Sequence, residues 1–175
     1  MDNNREIERP LFEELPDDID ETWQHVAILG GMAGRPKKHV SFLAAARSYR
    51  WAAELVVTAA VRDGELWDTI NPALFLYRHT IELYLKALMP GKGHDLGVLV
   101  DKLPGKVADV PRAVLERLRE FASVDNGSGT AWRYPDSDSP AHEHGEERML
   151  DVPKMQRAMG SILDWLDHAA LRIGA

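Results

Sequence analysis

The 175-residue chain is 45% hydrophobic and 28% charged, which provides enough apolar material for one sizeable core. Its net charge of -7 argues against a protein that coats nucleic acid through a basic surface, although it is compatible with a local basic site. The sequence contains no cysteine, so disulfides and thiolate metal sites are excluded. Residues 1–16 lack the apolar core of a signal peptide, and no apolar run approaches the roughly 18 residues of a membrane span, which predicts a cytoplasmic protein.

Residues 1–38 are predicted to form an N-terminal extension with at most one short helix, because acids and prolines dominate its first part and glycines interrupt the apolar residues that follow. In residues 39–63 apolar side chains recur at helical spacing, which predicts the first long helix, and Gly64 supplies its left-handed end. The second helix is predicted at residues 71–89, with Pro72 in its first turn. It is apolar around most of its circumference, so we expect it to be the most buried element.

Further helices are predicted in the second half of the chain. A short helix capped by Asp95 comes first, and a helix that begins at Pro111 follows. Residues 125–150 are predicted to form a long polar loop, because Asp, Asn, Gly, Ser and Pro are dense there. The last helix begins at Asp151 and carries an apolar stripe. Together these elements predict an all-α bundle of four to five helices.

The second predicted helix carries charged residues on one face. Arg78, Glu82 and Lys86 follow one another at intervals of four residues, and His79 lies three residues before Glu82. Buried charges must be paired to be tolerated, so this charged stripe either faces a polar cavity between helices or marks a solvated edge. A structural ion network is the alternative to a functional site at these residues.

Three short motifs lie in order between the second helix and the last. Glu82-x3-Lys86-Ala-Leu is followed by His94-Asp-Leu, and Arg133-Tyr-Pro-Asp comes later in the chain. In this order and spacing the motifs resemble those of the HEPN domain family. The resemblance covers most of residues 39–172, within a predicted helical domain of residues 39–175. It implies an up-and-down helical bundle that pairs as a homodimer and belongs to a bacterial or archaeal toxin–antitoxin or phage-defence system.

Many members of that family are RNases that cleave RNA without a metal, using an Arg-x4–6-His motif. This chain lacks the motif: Arg35 precedes His39 by three intervening residues, and Arg133 precedes His142 by eight. The first hypothesis is therefore a HEPN-like dimeric module that is linked to nucleic acid or nucleotide and for which the sequence demonstrates no catalysis. Its candidate partners are RNA and a cognate antitoxin or nucleotidyltransferase, and no cofactor, metal or membrane partner is expected.

The second hypothesis is a metal-independent endoribonuclease with a different site. Cleavage of RNA through its own 2′-hydroxyl needs a proton acceptor, a proton donor and a cation for the charge that develops on the phosphate. The residues that supply these groups are the predicted catalytic residues: Arg78, His79, Glu82 and His94. The predicted substrate-binding residues are basic or aromatic neighbours in the motifs: Lys86, Arg133 and Tyr134.

These residues also have structural interpretations. His94 is adjacent to Asp95, where it can simply brace the start of a helix. Arg133 and Tyr134 can lock the long loop onto the bundle. The stretch 142–144, His-Glu-His, contains metal-binding residue types, but a polar loop gives them little support, so no metal site is predicted. A third hypothesis is a structural protein whose acidic N-terminal extension docks on another chain.

Overall fold

The computed structural model describes residues 41–125 and 149–174. The chain divides into two units, Met1–His39 and Val40–Ala175, and all described residues belong to the second unit. The predicted N-terminal extension 1–38 therefore lies outside the described residues. Most of the predicted polar loop, from residue 126 to residue 148, lies outside them as well.

Within the described residues the secondary structure is helical throughout, without any strand, so the predicted all-α fold is confirmed. A short 3-10 turn at Leu103–Gly105 follows the third helix. The five α-helices, in chain order, are α1 (Phe42–Asp63), α2 (Leu66–Leu88), α3 (Leu96–Lys102), α4 (Arg112–Ser123) and α5 (Val152–Arg172).

The helix ends follow from local chemistry that the sequence displays. The φ angle of Gly64 is 76°, and its N–H donates to a carbonyl in the last turn of α1. The carboxylate of Asp95 accepts the N–H of Val98 at 3.0 Å and caps α3. Asp151 caps α5 in the same way, accepting the N–H of Lys154 at 2.9 Å. These three predicted ends are confirmed.

The predicted start of the second helix is wrong. Helix α2 begins at Leu66, so Pro72 lies inside the helix instead of in its first turn. Leu66 and Ile70 are half-buried and pack against the hydrophobic core, which favours a helix that extends past the proline. Pro72 is exposed and lies in the second turn of α2, where it removes the backbone hydrogen bond to the carbonyl four residues earlier. Tertiary packing has overridden a local signal.

Helix α2 is the central element, as predicted from its composition. Every residue from Thr80 to Leu88 is buried. Helix α1 lies along α2, and α5 packs against both. Helices α1 and α5 are antiparallel. Near the start of α1, Arg47 pairs with Asp167 at the end of α5, whereas near the end of α1, Thr58 accepts a hydrogen bond from Gln156 at the start of α5. None of the helices in residues 41–125 and 149–174 is long and apolar enough to cross a membrane.

Candidate functional site

The charged side chains of α2 point toward the start of α3 and the end of α4. The side chains of Arg78, Glu82 and Lys86 are only 4%, 2% and 9% exposed. They meet His94, which directly precedes the cap of α3, and Asp125, which lies just beyond α4. We call these five residues the charged cluster. The charged stripe thus faces the interior of the bundle and does not form a solvated edge.

Glu82 is the centre of the charged cluster. Its Oε1 accepts a hydrogen bond from Lys86 Nζ at 2.7 Å and lies 2.8 Å from His94 Nδ1, while its Oε2 accepts from Arg78 Nη1. Burial raises the pKa of Glu82, but the hydrogen bonds from Lys86 and His94 and the nearby positive charges outweigh it and hold this pKa below its ordinary value. The carboxylate therefore stays ionised at neutral pH, with both oxygens occupied.

Arg78 joins three separate parts of the chain. Its Nε donates to Asp125 Oδ2 at 3.0 Å, its Nη1 donates to Glu82, and its Nη2 donates to the backbone carbonyl of His94. One guanidinium thereby connects α2 to the turn before α3 and to the end of α4. Asp125 was not among the predicted site residues. It lies 47 residues from Arg78 in the sequence, and nothing in its local sequence distinguishes it from the other acids of the polar loop.

His94 contributes the one mainly exposed side chain of the charged cluster, with 73% of its side chain exposed. Its Nδ1 lies 2.8 Å from Glu82 Oε1 and 3.3 Å from Lys86 Nζ. A carboxylate only accepts hydrogen bonds and an ammonium only donates them, so the shorter contact assigns the proton to Nδ1. In neutral His94 the lone pair is then on Nε2.

His79 points away from the charged cluster, toward α1. Its half-buried ring makes an edge-to-face contact with Tyr49, with centroids 4.4 Å apart, and stacks parallel to Phe75 at 6.2 Å. Burial lowers the pKa of His79; Glu82 opposes this shift, and the nearby positive charges reinforce it. Among the described residues, His79 takes no part in the hydrogen bonds of the charged cluster. The structure thus brings together three of the four predicted catalytic residues and sets the fourth apart.

Of the remaining predicted residues, one lies in the described part of the chain and the others do not. Lys86, predicted to bind substrate, is buried and donates to Glu82. Arg133, Tyr134 and the His-Glu-His stretch at 142–144 lie outside the described residues. In the part of the chain that the structure describes, no group of three or more His, Asp or Glu residues is arranged to hold a metal ion.

A second polar network, not predicted from the sequence, ties α1, α2 and α5 together. Arg47 donates two hydrogen bonds to Asp167, at 2.7 and 2.9 Å, and the hydroxyl of Tyr84 donates to the same carboxylate at 3.0 Å. The bonds from Arg47 lower the pKa of Asp167, whereas burial and the neighbouring carboxylate raise the pKa of Tyr84 to about 12. This network fastens helices and presents no group suited to proton transfer at neutral pH.

The charged cluster therefore holds together α2, the turn before α3 and the end of α4. Its cations and carboxylates are already paired with one another. Within the charged cluster, only His94 has a mainly exposed side chain. Comparison of the chain with known protein families, with characterised proteins and with solved structures finds no match.

Proposed function

We propose that this chain is a HEPN-like helical module that binds its partners and does not cleave RNA. The observation that supports this proposal is the burial and mutual pairing of Arg78, Glu82 and Lys86. In keeping with the family it resembles, we propose a homodimer within a toxin–antitoxin or phage-defence system. Its candidate partners are RNA or a nucleotide and a cognate antitoxin or nucleotidyltransferase.

The energetics of the charged cluster disfavour catalysis by Arg78. The cluster pairs two cationic side chains, Arg78 and Lys86, with two carboxylates, Glu82 and Asp125. Stabilising a phosphate would require Arg78 to leave Glu82 or Asp125. Breaking one side of a buried ion pair costs about 3–5 kcal/mol, because a charge is left without a partner. That cost would have to be met before any transition state is stabilised.

A second candidate function, a metal-independent endoribonuclease, is favoured by one specific observation. Glu82 orients the exposed His94 imidazole, and His79 lies on α2 three residues before Glu82. Two imidazoles of this kind can exchange protons with a 2′-hydroxyl and a leaving oxygen. The contact of His79 with Tyr49 and Phe75 argues against this role.

The two functions are separated by incubating the purified chain with labelled single-stranded RNA in the presence of a chelator. We expect no cleavage by the natural chain. His79→Ala and His94→Ala serve as matched variants, with circular dichroism to establish that each one folds. Cleavage by the natural chain that both folded variants lose would overturn the binding-module proposal in favour of the endoribonuclease.

A further inference from the structure

His94 has one unengaged ring nitrogen at the exposed edge of the charged cluster. Its Nδ1 donates to Glu82 Oε1 at 2.8 Å, so in neutral His94 the lone pair lies on Nε2. Within the described residues Nε2 makes no hydrogen bond, and 73% of the side chain is exposed. The lone pair is therefore free, and the ring is open to a reagent that arrives from water.

Buried partners hold both the backbone and the ring of His94. Arg78 Nη2 donates to the carbonyl of His94, and the Glu82 carboxylate holds the ring. Glu82 is itself fixed by hydrogen bonds from Arg78 and Lys86. Apart from its two chain neighbours, no described residue lies within 4 Å of the position that a Cβ on Gly93 would take. The ring is thus oriented in advance, while the space beside it stays open.

Three roles of a histidine with a free Nε2 differ in what else they require. A metal ion needs further ligands, and no group of three or more His, Asp or Glu residues in the described part of the chain is arranged to supply them. A general base needs a substrate held against it, whereas the buried cations near His94 are already paired with carboxylates. A nucleophile needs only its lone pair, access, and stabilisation of the charge that forms on the ring.

Glu82 supplies the stabilisation that a nucleophilic imidazole needs. When Nε2 forms a bond with an electrophile, the ring keeps its proton on Nδ1 and becomes positively charged. The ionised carboxylate of Glu82 accepts the hydrogen bond of that proton and stabilises the new charge. Lys86 Nζ disfavours a charged ring, but at 3.3 Å it lies farther from Nδ1 than Glu82 Oε1 does. The closer carboxylate therefore outweighs the ammonium.

The geometry points to His94 Nε2 as the acceptor of a phosphoryl group from a phosphoramidate, a donor in which phosphorus is bonded to nitrogen. The Nε2 lone pair forms a new bond to phosphorus, and the bond from phosphorus to the donor nitrogen breaks. The electron pair of the broken bond leaves with the donor nitrogen, which is already protonated and departs as a neutral amine. Nothing is oxidised or reduced. A neutral leaving group suits this site, because it needs no free cation to stabilise it.

Incubation of the full chain with potassium phosphoramidate tests the inference, with His168 as an internal control. His168 lies on α5, is exposed and, within the described residues, pairs with no carboxylate. We expect His94 to be phosphorylated at least about tenfold faster than His168, measured by mass spectrometry of peptides kept at alkaline pH. Phosphorus NMR should place the phosphoryl group of His94 on Nε2.

Two matched carboxylate variants separate activation by Glu82 from simple exposure. Glu82→Gln keeps the size of the side chain and removes its charge, so we expect it to slow the reaction at His94 at least about tenfold and to leave His168 unchanged. Glu116→Gln removes the exposed partner of Arg112 and should change neither rate. Circular dichroism establishes that each variant folds. The comparison of His94 with His168 in the natural chain needs no variant.

Three outcomes would overturn the inference. Equal rates at His94 and His168 in the natural chain would show that the charged cluster does not activate the ring. A phosphoryl group on Nδ1 of His94 would contradict the assigned position of the proton. A folded Glu82→Gln variant that reacts at His94 as fast as the natural chain would leave exposure as the cause of the reactivity. The RNA assay gives its answer independently of these results.

Discussion

The charged cluster of α2 and the exposed Trp51 of α1 depart from the usual distribution of residues in opposite ways. Glu82 is ionised and buried, whereas Trp51 is apolar and mostly exposed. The first departure is compensated within the chain, because each buried charge has a partner of opposite sign. The second has no compensation among the described residues. The comparison teaches that pairing within the chain accounts for a buried charge, whereas the exposure of an apolar side chain is set by which helix faces lie against each other.

The largest effect is expected when the centre of the charged cluster is removed. Glu82→Ala leaves Arg78 and Lys86 buried without their shared carboxylate, so we expect the free energy of unfolding to fall by about 3–5 kcal/mol in a denaturant titration. Glu116→Ala removes an exposed carboxylate that pairs with Arg112 and should change stability by less than about 1 kcal/mol. Equal effects of the two substitutions would show that burial does not increase the contribution of the charged cluster to the free energy of unfolding.

The acid dependence of stability sharpens the comparison. The folded-state pKa of Glu82 is held below its ordinary value of 4.5, so its contribution is fully present above that pH and is lost as the pH falls through the folded-state pKa. We therefore expect the unfolding free energy to decrease as the pH is lowered below about 4.5. Glu82→Gln should flatten this decrease relative to Glu116→Gln, measured by denaturant titration at several pH values. A slope that Glu82→Gln leaves unchanged would assign the acid sensitivity to other carboxylates.

The smallest effects are expected at two buried tyrosines. They test whether a hydrogen-bond partner determines how much a buried hydroxyl contributes to stability. Among the described residues, the hydroxyl of Tyr77 has no hydrogen-bond partner, whereas that of Tyr84 donates to Asp167. Tyr77→Phe should leave the melting temperature unchanged or raise it, while Tyr84→Phe should cost about 1 kcal/mol. If Tyr77→Phe were the more damaging substitution, the Tyr77 hydroxyl would have to make a stabilising contact.

The predictable part of the fold depended on groups that act within a few residues of one another. The caps at Asp95 and Asp151 and the left-handed end at Gly64 follow from local hydrogen bonding and backbone freedom. The burial of α2 follows from its nearly continuous apolar surface. Its true start at Leu66 did not follow, because packing of the first turn against the core outweighed the local preference of proline for a helix start.

The candidate site was predictable in its members but not in its arrangement. The charged stripe of α2 and the motif before α3 identified Arg78, Glu82 and His94, and the structure joins these three through hydrogen bonds. Helical spacing alone also assigned His79 to the same stripe. In the structure the His79 ring lies against Tyr49 of α1 instead. Spacing along one helix holds no information about an aromatic ring on the neighbouring helix.

For residues 41–125 and 149–174, the sequence by itself determined that the fold is helical, where most helices end, and which helix is apolar enough to lie at the centre. Only the tertiary structure decided that the charges of α2 are sealed and paired, because Asp125 reaches Arg78 from 47 residues away. It likewise decided that Trp51 faces outward, since the core side of α1 is set by its contact with α2. Local forces act over one helical turn, whereas the burial of a side chain depends on which distant segment lies over it.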